Sequence, residues 1–208
     1  MPDFSKSLSR YMPEAAAPIV SQWILDTGCR FRVAKSRSTK LGDYRAPFQG
    51  KTHQISVNHD LNPYAFLITT VHEFAHLKTW TQHKDRVKPH GREWKNNFKD
   101  LMAPFFKLQV LPHDVTTALL QYMDNPAASS CTDLNLYRTL KKYDLASGEL
   151  ITVESVPANS VFSLKNGRIF QKKEKLRKRF KCVELSTGRY YLIHPIAEVI
   201  PVKSTESI

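Results

Sequence analysis

The chain has 208 residues, 41% hydrophobic and 24% charged, proportions of an ordinary folded soluble protein that exclude a wholly disordered or fibrous one. That length supports one ordinary domain, or a medium domain with a small appendage, whose core needs no disulfide staples. The 31 Lys and Arg against 19 Asp and Glu give a net charge of +12, a field that attracts polyanions such as nucleic acid, although a solubilising surface charge gives the same total.

The N-terminus, Met-Pro-Asp-Phe-Ser-Lys-Ser, lacks an apolar segment behind a basic start, and no later run approaches the roughly 18 apolar residues of a membrane span. Cys29, Cys131 and Cys182 form no Cys-x-x-Cys pair, which argues against a disulfide framework and fits a reducing compartment. We therefore expect a cytoplasmic protein with no membrane partner.

Residues 13–26 place Ile19, Val20, Trp23 and Ile24 at helical spacing, and Thr27-Gly28 supplies a stop. Cys29, Phe31 and Val33 alternate with Arg30, Arg32 and Ala34, and Ile55 with Val57 repeats the pattern, as half-buried strands do. A polar loop rich in Arg and Lys lies between them. From Asn62-Pro63 to about Gln82, apolar residues recur at three- and four-residue steps, with Asn62 as N-cap and Pro63 at the first helical position. After a polar break at 83–89, Trp94, Phe98 and Leu101 mark another helix that Pro104 ends or kinks, and a last helix runs from Asp114 to Met123. The turn-rich stretch 124–130 marks a boundary. Beyond it, short alternating runs separated by Ser147-Gly148, Asn166-Gly167 and Thr187-Gly188 predict a small antiparallel β module, and 203–208 a loose terminus.

The long helix carries Val71-His72-Glu73-Phe74-Ala75-His76. Four residues at about 100° each bring His76 to within about 40° of His72 and about 6 Å further along the axis, so both imidazoles reach one ion. Glu73 reaches a water on that ion and takes its proton. Zinc suits imidazole ligands, and a catalytic zinc needs three protein ligands and one open position. His83 is two turns beyond His76, too far to coordinate from an unbroken helix, and Thr79 and Gln82 occupy the places where a metzincin has Gly and His. The third ligand is His90, which opens the next helix after the polar break, or its rival Glu93, one turn on. His53, His59, His113 and His194 read as ordinary hydrogen-bonded side chains.

The segment Ser38-Thr39-Lys40-Leu41-Gly42-Asp43-Tyr44-Arg45, then Ile55-Ser56-Val57-Asn58, then His72-Glu73-Phe74-Ala75-His76 and His90-Gly91-Arg92-Glu93-Trp94 resembles the SprT-like metallopeptidases over roughly residues 15–105. The helix motif is shared by many zincins; the order of basic loop, short strand, active-site helix and His-Gly-x-x-Trp is far more specific. The resemblance implies His90 as third ligand, one catalytic zinc ion, Glu73 as base and a protein substrate. The family includes the Spartan proteases, which cut proteins crosslinked to DNA, so it also implies a peptidase that meets its substrates on nucleic acid. Many members continue into a zinc ribbon of paired cysteines; Cys131 and Cys182 each stand alone, so a four-ligand zinc cannot be assembled from them. The expected fold is α+β: a zincin-like helical metallopeptidase core with a small sheet over residues 1–125, and over 126–208 a basic β-rich module resembling a metal-free zinc ribbon.

Between Lys165 and Lys181 stand nine cations and a single acid, Glu174. Interleaved Phe170, Leu176 and Phe180 predict a hairpin with one apolar side and one side presenting Lys172, Lys173, Lys175, Arg177, Lys178 and Arg179 to phosphates, with Tyr190 and Tyr191 available to stack on bases if exposed. A solvated edge hairpin, whose lysines discourage strand pairing, is the alternative. A catalytically silent nucleic-acid-binding protein with a structural metal and a zinc hydrolase of non-peptide substrates also remain open; intact Glu73 argues against the first.

Overall fold

The computed structural model describes residues 3–37, 40–124, 133–144 and 150–202. Ser38, Thr39, Cys131, the stretch 125–130, the Ser147-Gly148 turn and the terminus 203–208 lie outside the described residues. The chain is α+β and divides into two compact units, residues 1–145 and 146–208.

The first unit begins with a short helix α1 (Ser5–Leu8) and α2 (Ala17–Thr27). Gly28, at φ 58°, ends α2 in the left-handed region where a Cβ is unfavourable. Three strands follow: β1 (Arg30–Ala34), β2 (Gly42–Arg45) and β3 (Gln54–Asn58), in the order β1-β3-β2. β1 pairs with β3 in parallel, β2 antiparallel. The sequence predicts β3 as half-buried, but residues 55–58 are all buried because β3 is central and covered on both faces. The sequence predicts a polar loop where β2 lies: four residues beginning with Gly carry no alternation, and pairing to β3 makes them a strand.

Helix α3 (Pro63–His83) packs on this sheet. The Asn62 side chain accepts from the Ala65 N–H at 3.0 Å, satisfying one of the free amides of the first turn. Twelve of its residues are buried, so the helix runs through the core. Helix α4 (Arg92–Lys107) packs along α3. It passes through Pro104 without ending there: Trp94, Phe98, Met102 and Phe105 are fully buried on both sides of the proline, and that burial outweighs one lost backbone bond. Asn97 fixes the α3–α4 register, donating to Thr79 Oγ1 at 2.9 Å and Gln82 Oε1 at 2.8 Å.

Helix α5 (His113–Asp124) follows, and then α6 (Leu134–Lys141), which the sequence reading placed in the β-rich module. The boundary at 125/126 is thus corrected to 145/146. Leu136 and Leu140 enter the first core, and Asn62 Nδ2 donates to the Leu140 carbonyl at 2.9 Å and to Asp144 at 2.7 Å, tying α6 to the start of α3.

The second unit is a six-stranded sheet of β4 (Ile151–Thr152), β5 (Val161–Ser163), β6 (Ile169–Leu176), β7 (Arg179–Glu184), β8 (Tyr190–Ile193) and β9 (Glu198–Pro201), in the order β4-β9-β5-β6-β7-β8 and antiparallel throughout. A ribbon-like module was expected; the observed sheet has its own core of Val153, Val156, Phe162, Phe170, Phe180, Cys182 and Val199. Cys182 is fully buried, an apolar core residue.

Candidate metal centre

His72 and His76 project from one face of α3, four residues apart, and His90 comes from the turn that leads into α4. His76 Nε2 stands 3.2 Å from His72 Nε2, and His90 Nε2 stands 3.3 Å from it. The ligating atoms of all three lie within 4.8 Å of one another, the one such grouping of metal-ligating side chains among the described residues. Glu93, the rival for the third place, is not part of it and turns its carboxylate toward Gly91.

Trp94 forms the floor, its ring centroid 4.6, 5.4 and 4.8 Å from those of His72, His76 and His90. It stacks in turn on Phe98. Sequence reasoning used Trp94 as a helix marker and as part of the His-Gly-x-x-Trp motif, but gave it no place at the metal centre. Burial and the neighbouring imidazoles disfavour a charge on each histidine: His72 is pushed down to about 2 and His76 to about 3, and burial lowers His90 as well. All three are therefore neutral near pH 7, the form that ligates a cation.

Glu73 faces the sheet rather than solvent and is only 6% exposed. Burial pushes its carboxyl up to about 8, and Asp43 adds to the rise. Arg37, Lys40 and a backbone hydrogen bond from Tyr44 act in the opposite sense. The loop before β2 is fixed by Asn58, whose side chain donates to the carbonyls of Arg37 and Lys40 at 3.1 and 3.0 Å and accepts from Arg37 Nε at 2.8 Å.

The three histidines, Glu73, Asp43 and Lys40 line a cavity of about 660 Å³ bounded by β2, α3 and the segment 84–90. Tyr44, His76 and Trp80 form part of its wall; Tyr44 stacks on His76 with centroids 6.2 Å apart, and His53 joins Tyr44 to Trp80, its Nδ1 2.9 Å from the Tyr44 hydroxyl and its ring edge-on to Trp80. His53 thus has the hydrogen-bonded structural role expected of it. Lys84 lies over the Trp80 ring at 4.1 Å. Nothing in the spacing of residues 44, 53 and 80 signals that they meet, since they come from three different elements.

The basic stretch lies in the second unit, on the β6–β7 hairpin. Lys175, Arg177, Lys178 and Arg179 are exposed and Lys173 is half-buried. Lys172 contradicts the sequence reading. It is 6% exposed, and its ammonium donates to the carbonyls of Glu154, part-buried, and Val156, buried, and lies 4.1 Å from the Phe180 ring centroid. Alternation explains the correction: Lys172 pairs with Cys182 on the core-facing side, where a long stem buries itself and its tip caps carbonyls. Other cations of the stretch are paired by acids: Lys165 with Glu198 of β9 at 2.5 Å and Arg168 with Glu184 of β7 at 2.6 Å. Tyr190 is 62% exposed, whereas Tyr191 packs edge-on against Phe170 under Arg168.

The first unit thus presents three converging neutral imidazoles with a buried carboxyl beside them in a cavity, a centre able to hold one metal ion. Residues 16–118 match the SprT-like family, and this segment of the chain belongs to it. Among curated proteins, Protein SprT of Shigella dysenteriae serotype 1 (strain Sd197) is 36% identical over 80 residues, covering 36% of this chain and 48% of that protein. The aligned part thus spans about half the length of that relative. No solved structure matches the chain significantly. No helix among the described residues is long and apolar enough to cross a membrane.

Proposed function

We propose that the protein is a zinc-dependent metallopeptidase in which His72, His76 and His90 hold the ion and Glu73 is the catalytic base. The observation that carries this reading is the spacing of the Nε2 atoms. Two nitrogens each about 2.0–2.1 Å from a tetrahedral zinc stand about 3.3 Å apart, and the histidine nitrogens are already at 3.2 and 3.3 Å. Three protein ligands leave the fourth position for water or substrate. When bound, zinc supplies Lewis acidity, polarising a carbonyl and lowering the pKa of its water.

The rest falls to the chain. Glu73, buried beside His72, accepts a proton from the attacking water and delivers it to the leaving amine. In the metal-free chain its surroundings disfavour charge; a bound divalent cation favours the carboxylate, the form that accepts a proton. Among the described residues β2 is an edge strand of its sheet; it borders the cavity and offers main-chain groups along which an extended peptide could lie. Trp94 and Tyr44 pack against the imidazoles and hold their orientation.

Nucleic acid is proposed as a second partner through Lys173, Lys175, Arg177, Lys178 and Arg179, without sequence specificity. Their clustering at one hairpin and the +12 charge support it. The test of the peptidase reading is reconstitution. Stripped of metal by a chelator, the protein should stop cleaving an unstructured polypeptide and regain cleavage with one equivalent of zinc; cleavage that survives metal removal contradicts it.

A further inference from the structure

β2 grips the Glu73 carboxylate from its main chain, and Gly42 is the point of closest approach. A Cβ built on Gly42 would stand 2.2 Å from Glu73 Oε1 and 2.8 Å from its Cδ and Cγ, an overlap that no real Cβ tolerates. Gly42 is not a turn glycine: Gly28, Gly50, Gly167 and Gly188 have left-handed φ and open space at the Cβ position, whereas Gly42 sits in ordinary strand backbone against a side chain. The approach is not soft. Leu41 accepts from the Asn58 N–H at 2.9 Å, the fully buried Asn58 side chain holds Arg37 and Lys40, and β2 is registered on β3 through Gly42↔Val57 and Tyr44↔Ile55. On the other side Glu73 is anchored on α3 between the buried Val71, Phe74 and Ala75.

We propose that Gly42 is a positioning residue for Glu73: its bare Cα leaves the space that the carboxylate fills, and with the Tyr44 backbone it aims the base at the metal centre. Any side chain at position 42 displaces the carboxylate, because both backbones are fixed and only the Glu73 torsions can yield. This rests on Glu73 being the base, but the contact itself is testable without catalysis.

The experiment is a double-mutant cycle on the full chain. Thermal unfolding of the metal-free protein is followed for the parent, Gly42→Ala, Glu73→Ala and the double variant. Overpacking predicts that Gly42→Ala lowers the first unit's midpoint by about 3–10 °C when Glu73 is present. In the Glu73→Ala background the same change should be nearly neutral, because the added methyl occupies vacated space. Equal loss in both backgrounds, or none in either, overturns the proposal. If Gly42→Ala alone does not fold, folding of the double variant sustains the contact, and its failure overturns it.

In the zinc-loaded protein, Gly42→Ala should retain the parent's metal content and KM while kcat falls about 100-fold, the scale of an ångström-level misplacement. Adding Glu73→Asp, which shortens the acid, should restore part of that loss. An unchanged kcat in Gly42→Ala overturns the positioning role. Full activity in Glu73→Gln would defeat the catalytic reading and leave the stability cycle to stand or fall separately.

Discussion

Replacing Glu73 by Gln changes the proton balance of zinc binding. In the metal-free protein burial raises the Glu73 carboxyl to about 8, so at pH 6 about 99% of chains carry its proton. Next to a divalent cation the carboxylate is favoured, so binding expels that proton. His72 and His76, lowered to about 2 and about 3, are already neutral and release almost none. At pH 6 zinc-bound water, which ionises near about 7, keeps its protons. The parent should therefore release about one proton more per zinc than Glu73→Gln, and the difference should shrink above pH 8. The assay is calorimetric titration with zinc in two buffers of different protonation enthalpy, which separates proton release from binding heat. Equal release by parent and variant at pH 6 refutes the reasoning, for Glu73 would then keep the same protonation state before and after the metal arrives.

The same raised carboxyl makes a stability prediction. The folded, metal-free chain binds the Glu73 proton more tightly than the unfolded one, so stability contributed below about 4.5 is lost as pH rises to about 8. Relative to the parent, Glu73→Gln should gain on the order of 3–5 kcal/mol between pH 4.5 and 8, measured by urea unfolding at both pH values; a flat difference contradicts it. His90→Ala should empty the zinc site while Glu93→Ala leaves it filled, by mass-spectrometric metal content, and the reverse result would make Glu93 the ligand. Lys172→Ala should destabilise the second unit by about 1–3 kcal/mol, because the buried Val156 carbonyl and the part-buried Glu154 carbonyl lose their donor, without altering nucleic-acid binding. Replacing Lys173, Lys175, Arg177 and Lys178 with Ser should leave stability unchanged and flatten the salt dependence of binding, by about 0.9 in log–log slope per lost duplex contact. An unchanged slope returns the hairpin to a solvated surface.

The metal centre was legible because its chemistry is local. Helical periodicity puts His72 and His76 on one face of α3 wherever that helix lies, and Asn62-Pro63 marks its start. His90 was narrower: the spacing left Glu93 in competition, the resemblance implied His90, and the path of the 84–91 turn brings His90 back to the other two imidazoles. What escaped the sequence depends on non-local pairing. β2 has no pattern of its own and exists through β3; Gly42 and Tyr44 matter through Glu73 and His76, some thirty residues away. Lys172 was misread because net charge says nothing about the face a strand residue occupies, and one step of alternation separates a phosphate ligand from a core cap. Likewise α6 follows a turn-rich stretch that resembles a boundary, yet Leu136 and Leu140 complete the first core.

The central claim, that Glu73 beside three histidine ligands makes the chain a zinc peptidase, is tested most directly by comparing parent and Glu73→Gln on one unstructured protein substrate with zinc quantified in both. The account predicts equal zinc content, one ion per chain, and cleavage by the parent alone, with kcat of the variant reduced by at least about 100-fold. Equal cleavage at equal zinc content would contradict it.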